Sequence, residues 1–325
     1  MLISIVSLIV GLIITVWSAD RFVDGASGIA KHFKMPPMLI GMVIIGFGTS
    51  APEIAVSVQA AIDGNSGIAL GNAIGSNITN IALVLGVTAI IAPIVVSSSI
   101  LKKEGPMMLV AMLLALFLML DGSMSALDGV VLLVAFALTM SWSIFQGLKK
   151  KKDNFTNEIE SEIASKKLSV KSSVIWLVVG IVLLIVGSKI FVYGAQNIAL
   201  SLGISDMIVG LTVVAVGTSL PELASSIMAA RKGEHELALG NVLGSNLFNI
   251  LIVVGIAVVI CPMTIPAEVI SRDMFTMIAL SVALLILCLP FSKKEGTINR
   301  LEGVLLLLVF ILYTTWLVLN TLGIA

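Results

Sequence analysis

Long, continuous apolar runs separated by short polar clusters set the pattern of this chain. Ten such runs cover residues 2–19 (extensible to 30), 37–62, 67–92, 105–120, 126–148, 172–200, 205–230, 236–260, 272–290 and 301–322. A helix that crosses a bilayer needs about 20 apolar residues, and most of these runs reach that length. The runs are unbroken and do not alternate apolar with polar positions, which excludes an outer-membrane barrel. The pattern therefore predicts an all-α polytopic membrane protein with ten transmembrane helices. The first run lacks the basic leader of a signal peptide and reads as the first helix.

Composition sharpens this picture. Only 12% of the 325 residues are charged and 58% are apolar, against roughly 25% charged in a soluble domain, so a water-soluble globule is excluded. Net charge is zero, which leaves no bulk basic field for nucleic acid. Cys261 and Cys288 fall near opposite ends of neighbouring spans and are expected to stay unpaired. His32 and His235 are too few for most sites built on imidazole. The basic residues are sharply segregated. With the loop 149–171 placed inside, sixteen Lys and Arg fall in inner loops and one, Arg272, in an outer loop. Basic residues in short loops stay cytoplasmic, so this split predicts a plasma (inner) membrane protein with both termini extracytoplasmic and the central loop cytoplasmic. The outer acids Asp63, Asp121, Asp206, Glu268 and Asp273 read as solvated loop residues.

An internal repeat organises the spans. Gly48-Thr49-Ser50-Ala51-Pro52-Glu53 recurs as Gly217-Thr218-Ser219-Leu220-Pro221-Glu222, an offset of 169 residues. The run from Gly71 to Asn80, GNAIGSNITN, recurs at the same offset of 169 as GNVLGSNLFN, from Gly240 to Asn249. The chain thus divides into a first five-helix repeat (1–148), a cytoplasmic linker (149–171) and a second five-helix repeat (172–325). Five spans are an odd number, so the second repeat must enter the membrane from the opposite side. Such inverted-topology repeats place their shared site near the bilayer midplane in secondary transporters.

The repeated motifs carry the chemistry. Glu53 and Glu222 lie well inside their spans, where an ionised carboxylate costs about 2.5–3.5 kcal/mol even on mild insertion scales. Arg21 and Lys189 are the basic residues that fall within spans, so a bound cation is the better compensation; a protonated pair and a structural ion pair are the alternatives. Thr49 and Glu53 share a helix face at four-residue spacing, with Ser50 beside them; Thr218, Ser219 and Glu222 repeat the arrangement. Asn72, Ser76 and Asn80 step by four along the third span, as Asn241, Ser245 and Asn249 do along the eighth. All offer oxygen, which suits hard cations such as Ca²⁺ and Na⁺ and not Zn²⁺ or Cu. Pro52 and Pro221 free and crowd the carbonyls of Gly48 and Gly217, and the neighbouring carbonyls of Gly46 and Ala215 are further candidates. Two ionised glutamates are neutralised by one Ca²⁺ or by two Na⁺. One pocket holding either set, but not both, is antiport in its simplest form.

The paired Gly-Thr-Ser-x-Pro-Glu and Gly-Ser-Asn-x-x-Asn motifs resemble the alpha-1 and alpha-2 repeats of the sodium/calcium exchanger family, within the cation/Ca²⁺ exchanger superfamily. The prokaryotic type without cytosolic regulatory domains is the nearer likeness, because the linker is too short to hold them. This resemblance implies Na⁺-driven Ca²⁺ antiport by alternating access, electrogenic in the common case, with Ca²⁺ and Na⁺ as transported substrates and no cofactor. It implies Glu53 and Glu222 as the central Ca²⁺ ligands, with Thr49 and Thr218 contributing and Asn80 and Asn249 completing the central site. Na⁺ ligation is implied for Ser50, Ser76, Ser219 and Ser245 and for the carbonyls of Gly46 and Ala215. The first and sixth helices are implied to slide together against the other eight. Asn249 stands where K⁺-dependent exchangers carry Asp, which leaves two formal charges and a K⁺-independent reading.

Other readings compete. A Ca²⁺/H⁺ antiporter would use the same two glutamates as titrating groups, but the hydroxyl-rich motifs favour Na⁺. An intramembrane enzyme lacks a paired-Asp, Ser/His or two-His arrangement, so no enzymatic activity is expected. A channel or sensor would not need inverted repeats. The expected partners are the ions and the lipid bilayer, with no nucleic acid and no obligatory protein partner.

Overall fold

A computed structural model describes residues 2–33, 35–64, 66–96, 100–150, 169–201, 215–289 and 296–321. Most of the predicted linker (residues 151–168), the first part of the predicted span 205–230, and Lys34, Lys293, Lys294 and Asp206 lie outside the described residues.

The chain runs through α1 (Leu2–Phe33), α2 (Pro37–Thr49), α3 (Ala51–Ile62), α4 (Ser66–Ile91), α5 (Gly105–Met119), α6 (Ala126–Lys150), α7 (Val170–Ser201), α8 (Ala215–Thr218), α9 (Leu220–Arg231), α10 (His235–Ile260), α11 (Val269–Leu287) and α12 (Arg300–Thr321). Among the described residues, seven helices are long and apolar enough to cross a membrane, and eight if the bent pair α2–α3 is one span. Two further predicted spans are represented by α5, which has 15 residues, and by α8–α9, whose beginning is not described.

α1 outruns the predicted limits and continues to Phe33. Asp20, Arg21 and Asp24 do not stop it, because they pair with one another and with Lys232, and Arg21 also lies over the Trp176 ring at 5.4 Å. Span 37–62 is not one straight helix. It breaks at Ser50 (φ −80°, ψ 3°) and bends by 47°. The cause is Pro52, which has no N–H for the carbonyl four residues back and crowds it. Pro52 then occupies the opening turn of α3, a position where a missing N–H costs nothing. Ser219 (φ −86°, ψ 5°) and Pro221 repeat this break between α8 and α9.

Several helices widen into π turns, at Gly41–Ile45, Asn80–Leu85 and Phe248–Val253. Such turns collect at functional sites, and here they contain Asn80 and Asn249. Two short antiparallel ribbons tie the halves together. β1 (Ile94–Val96) pairs with β4 (Gly296–Ile298), and β2 (Ser123–Met124) pairs with β3 (Met263–Thr264).

α4 and α10 are the most buried of the long helices, whereas α1, α6, α7, α11 and α12 turn most of their surface outward. That surface is apolar, with Leu2, Ile13, Leu127, Val178, Phe275 and Leu312 exposed, as a face against lipid tails requires. The core between α4, α10, α5 and α11 is built from Leu, Ile, Val, Ala and Met side chains. Small residues govern the closest helix contacts, as is usual in membranes. Gly244 of α10 lies against the backbone of Met42 so closely that a Cβ there would collide with it, and a Cβ on Gly41 would sit 2.8 Å from the Leu237 carbonyl oxygen. α1 and α7 meet in the same way, with Gly180 against the backbone of Phe22 and Gly187 against Thr15.

Gly244→Ala should therefore destabilise the fold by about 1–3 kcal/mol, the range for overpacking, read as a lowered midpoint of thermal unfolding in detergent. Gly71→Ala, where an added Cβ meets nothing within 4 Å, should be neutral or slightly stabilising. An equal loss in both variants would refute the packing argument.

Candidate cation site

The two glutamates open the second half of each broken helix. Glu53 lies in the first turn of α3 and Glu222 in the first turn of α9, where the unpaired N–H groups and the helix dipole favour negative charge by roughly 0.3–2 kcal/mol. Both side chains are fully buried. Their hydrogen bonds cross between the halves. Ser50 donates to Glu222 Oε1 at 3.1 Å, and Ser219 donates to Glu53 Oε1 at 3.5 Å. Ser245 donates to Glu222 Oε1 as well, at 3.3 Å. Thr218 faces Glu53 and Thr49 faces Glu222 across the same divide.

Among the described residues no Lys or Arg pairs with either glutamate. Arg21 is engaged with Asp20 and Asp24. Five buried oxygens of the candidate residues have no hydrogen-bond partner among the described residues: Glu53 Oε2, Glu222 Oε2, Ser76 Oγ, Asn80 Oδ1 and Asn249 Oδ1, and Asn249 Nδ2 has none either. Buried polar atoms are nearly always bonded, so these residues stand out. A donor set dominated by oxygen, with two carboxylates in it, fits a hard cation.

The remaining sequence candidates fall into the same region. The Gly46 carbonyl accepts the Ser50 N–H at 3.0 Å and has the hydroxyls of Thr49 and Ser245 at 3.4 Å. Thr49 also donates to the Asn241 Oδ1 at 3.0 Å. Ala215 is the first residue of α8, one turn ahead of Thr218 and Ser219. The outer acids Asp121, Asp128 and Asp273 have partners of their own. Asp121 and Asp128 accept hydrogen bonds from nearby Ser123 and Ser125, and Asp273 binds Arg272 and Tyr313. No group of three His, Cys, Asp or Glu able to hold a metal occurs among the described residues.

Asn72 and Asn241 behave differently from the liganding role their spacing suggested. Asn72 Nδ2 donates to the carbonyl oxygen of Glu53 at 3.4 Å and to Ser57 at 3.0 Å. Asn241 Nδ2 donates to the carbonyl oxygen of Glu222 at 3.2 Å and to Ser225 and Ser226. These amides clamp the opening turns of α3 and α9 to α4 and α10, so each glutamate is held by its backbone. Ser57 and Ser226 were missed by the motif reading, although they keep the 169-residue offset and that offset could have found them. Ser188 was also missed. It donates to the Gly217 carbonyl at 2.7 Å and so satisfies an oxygen that Pro221 leaves without its helical donor. Its counterpart is Ala19, so no repeat signal pointed to it.

Known proteins carry the same arrangement of sequence. The chain matches the family described as sodium/calcium exchanger protein over residues 3–145 and 172–319. It is 44% identical to the putative antiporter CaxA of Alkalimonas amylolytica, over 96% of this chain and 98% of that one. It is 38% identical to the inner membrane protein YrbG of Escherichia coli K12, over 98% and 97%. Its fold superposes on a solved structure of the sodium-calcium exchanger NCX_Mj, soaked with Na⁺ and Sr²⁺, with a TM-score of 0.81 at 35% identity, covering 96% of this chain and 97% of that one. With both halves of the chain matched, the paired motifs inside those halves and the fold in agreement, this multi-pass membrane protein belongs to the sodium/calcium exchanger family.

Proposed function

We propose that the chain is a Na⁺-driven Ca²⁺ antiporter of ten transmembrane helices, arranged as inverted repeats 1–148 and 172–325 about a cytoplasmic linker 149–171. Glu53 and Glu222 hold Ca²⁺ together with Thr49, Thr218, Asn80 and Asn249. Ser50, Ser76, Ser219, Ser245 and the carbonyls of Gly46 and Ala215 take Na⁺. The observation that carries this reading is the reciprocal pair of hydrogen bonds, Ser50 to Glu222 and Ser219 to Glu53, which joins two buried carboxylates from opposite halves beside unpartnered oxygens.

Charge sets the coupling. Two carboxylates balance one Ca²⁺ or two Na⁺, so the ions compete for one cradle. A third Na⁺ on hydroxyl and carbonyl ligands makes each turnover move net charge. Asn249 adds no third carboxylate, which favours a K⁺-independent cycle. The inverted arrangement is supported by the ribbons. β1 and β3 each follow the third helix of their half, β2 and β4 each precede the fifth, and each ribbon joins one of each kind. The distribution of Lys and Arg supports an inner-membrane orientation with both termini outside. NCX_Mj is named as a sodium-calcium exchanger, which favours Na⁺ over H⁺ as the coupling ion.

In proteoliposomes, an outward Na⁺ gradient should drive uptake of radioactive Ca²⁺, whereas a K⁺ or pH gradient of the same size should not. A membrane potential imposed on the Na⁺-driven flux should change its rate. Uptake driven by pH alone would replace this reading with a proton antiporter.

Glu53→Gln and Glu222→Gln should each reduce Na⁺-driven Ca²⁺ uptake at least 100-fold, roughly the loss expected when a ligand worth about 3 kcal/mol disappears. Near-normal flux in either variant would refute the site.

In a cysteine-free background, a cysteine at Asp63 or Asp121 should react with an impermeant thiol reagent from outside intact cells, and one at Lys103 should not. The reverse pattern would overturn the orientation.

A further inference from the structure

A carboxamide has two ends of similar shape and opposite chemistry. Its oxygen accepts and its NH₂ group donates, so only one setting can serve a cation. A flipped amide would turn partial positive charge toward the ion. Asn80 is fully buried, and water cannot average the two settings.

The structure shows what selects the setting of Asn80. Its Nδ2 donates to Asn246 Oδ1 at 3.1 Å, which leaves Asn80 Oδ1 as the end without a partner. Asn246 is itself fixed. Its Nδ2 lies 3.6 Å from the sulfur of Met108, its backbone carbonyl accepts the Asn77 Nδ2 at 3.2 Å, and its side chain is fully buried. A sulfur is a weak acceptor and no donor, so the Met108 contact favours the setting of Asn246 that turns its oxygen toward Asn80.

The mirror half supplies the comparison. Asn77 is the counterpart of Asn246, and its Nδ2 lies 3.4 Å from the sulfur of Met277. Among the described residues, however, its Oδ1 has no partner, and neither does either side-chain atom of Asn249, the counterpart of Asn80. One repeat thus shows the amide anchored and the other shows it released. A buried Asn that served packing alone would use its oxygen to satisfy the surroundings. Asn246 uses it to hold a neighbour whose own oxygen stays open.

We propose that Asn246 is a positioning residue that locks the Asn80 carboxamide with its oxygen, and not its NH₂ group, toward the cation. The inference rests on the reading of Asn80 as a cation ligand. Outer-shell partners of this kind are worth 10- to 100-fold in metal affinity.

The test is Ca²⁺ binding to the purified full-length protein in detergent and Na⁺-free buffer, measured by equilibrium dialysis of radioactive Ca²⁺. Asn246→Ala should weaken binding on the order of 10-fold. The two oxygens of Asn80→Asp are equivalent and have no wrong setting. In that background the same substitution should cost less than about twofold, within the scatter of independent sites. An equal loss in both backgrounds, or no loss with Asn80 intact, would overturn the proposal. Asn246→Leu, with the same fork at Cγ as Asn and without an acceptor, gives the same reading where Asn246→Ala does not fold. Glu53→Gln separates the two levels of inference. If it abolishes Ca²⁺ binding while Asn246→Ala does not weaken it, the positioning role alone is rejected. Retained binding in Glu53→Gln rejects the cation site and the positioning role together.

Discussion

Two buried carboxylates tied to each other's halves by serine hydroxyls, with no basic residue among the described ones to neutralise them, are the constraint around which the rest of this structure is arranged. Isolated ionised groups in a low-dielectric interior are strongly disfavoured unless paired, hydrogen-bonded or bound to an ion. Each device near Glu53 and Glu222 answers that penalty. Proline breaks the span so that the glutamate falls in a helix's opening turn, where free N–H groups point at it. Serine hydroxyls from the opposite half donate to it. The amides of Asn72 and Asn241 grip the backbone of the same residue from the next helix. These devices are partial, since each carboxylate keeps one oxygen unbonded. The chain thus goes far enough to hold two acids in place and stops short of satisfying them, as the proposed cation site requires.

Irregular backbone at this depth is tolerable only where protein surrounds it, and the packing follows from that. α4 and α10 are enclosed and supply the asparagines, while glycine lets α2 approach α10 until backbones touch. α1 and α7 are different. They are joined to each other through glycine contacts and expose most of the rest to the surroundings. Among the described residues their polar ties to the bundle include Lys232 with Asp20 and Asp24, Glu234 with Lys31 and Ser27, and Ser188 with the Gly217 carbonyl. A pair of helices packed this closely on each other is the kind of element that can shift as a body while the core keeps its register.

Much of this was legible in the sequence because it obeys simple periods. Apolar runs gave the helices and the 169-residue offset gave the paired motifs, but four-residue spacing put Thr49 beside Glu53, whereas the break at Ser50 turns Thr49 to Glu222 of the other half. Where the reading fell short, the missing information was three-dimensional or directional. Spacing put Asn72, Ser76 and Asn80 on one helix face but could not say that Asn72 would turn its NH₂ group to the Glu53 carbonyl while Asn80 kept its oxygen free. Charge made α1 look shorter than it is, because Asp20 and Asp24 find their partner Lys232 more than 200 residues away. Ser188 is an asymmetric residue in a symmetric chain, so a search for repeats passes over it.

That asymmetry bears on how a repeat protein can work at all. If both halves kept identical bonds, the site would have no reason to favour one side of the membrane. Here the halves match in composition and differ in bonding. Asn80 is held and Asn249 is not; the Gly217 carbonyl has a hydroxyl donor from α7, while Ala19 in the matching place on α1 can offer none to Gly48. Asn77 and Asn249 carry the same groups as Asn246 and Asn80, so the amide bond made in one half is available to the other, whereas the Ser188 bond is not. Under the proposed inverted topology, such a pair of halves would have two arrangements that exchange roles across the midplane. The ion set bound in the shared cradle then needs only a modest differential affinity to move the balance between them. On this view the unpartnered Asn249 is as much a part of the device as the anchored Asn80.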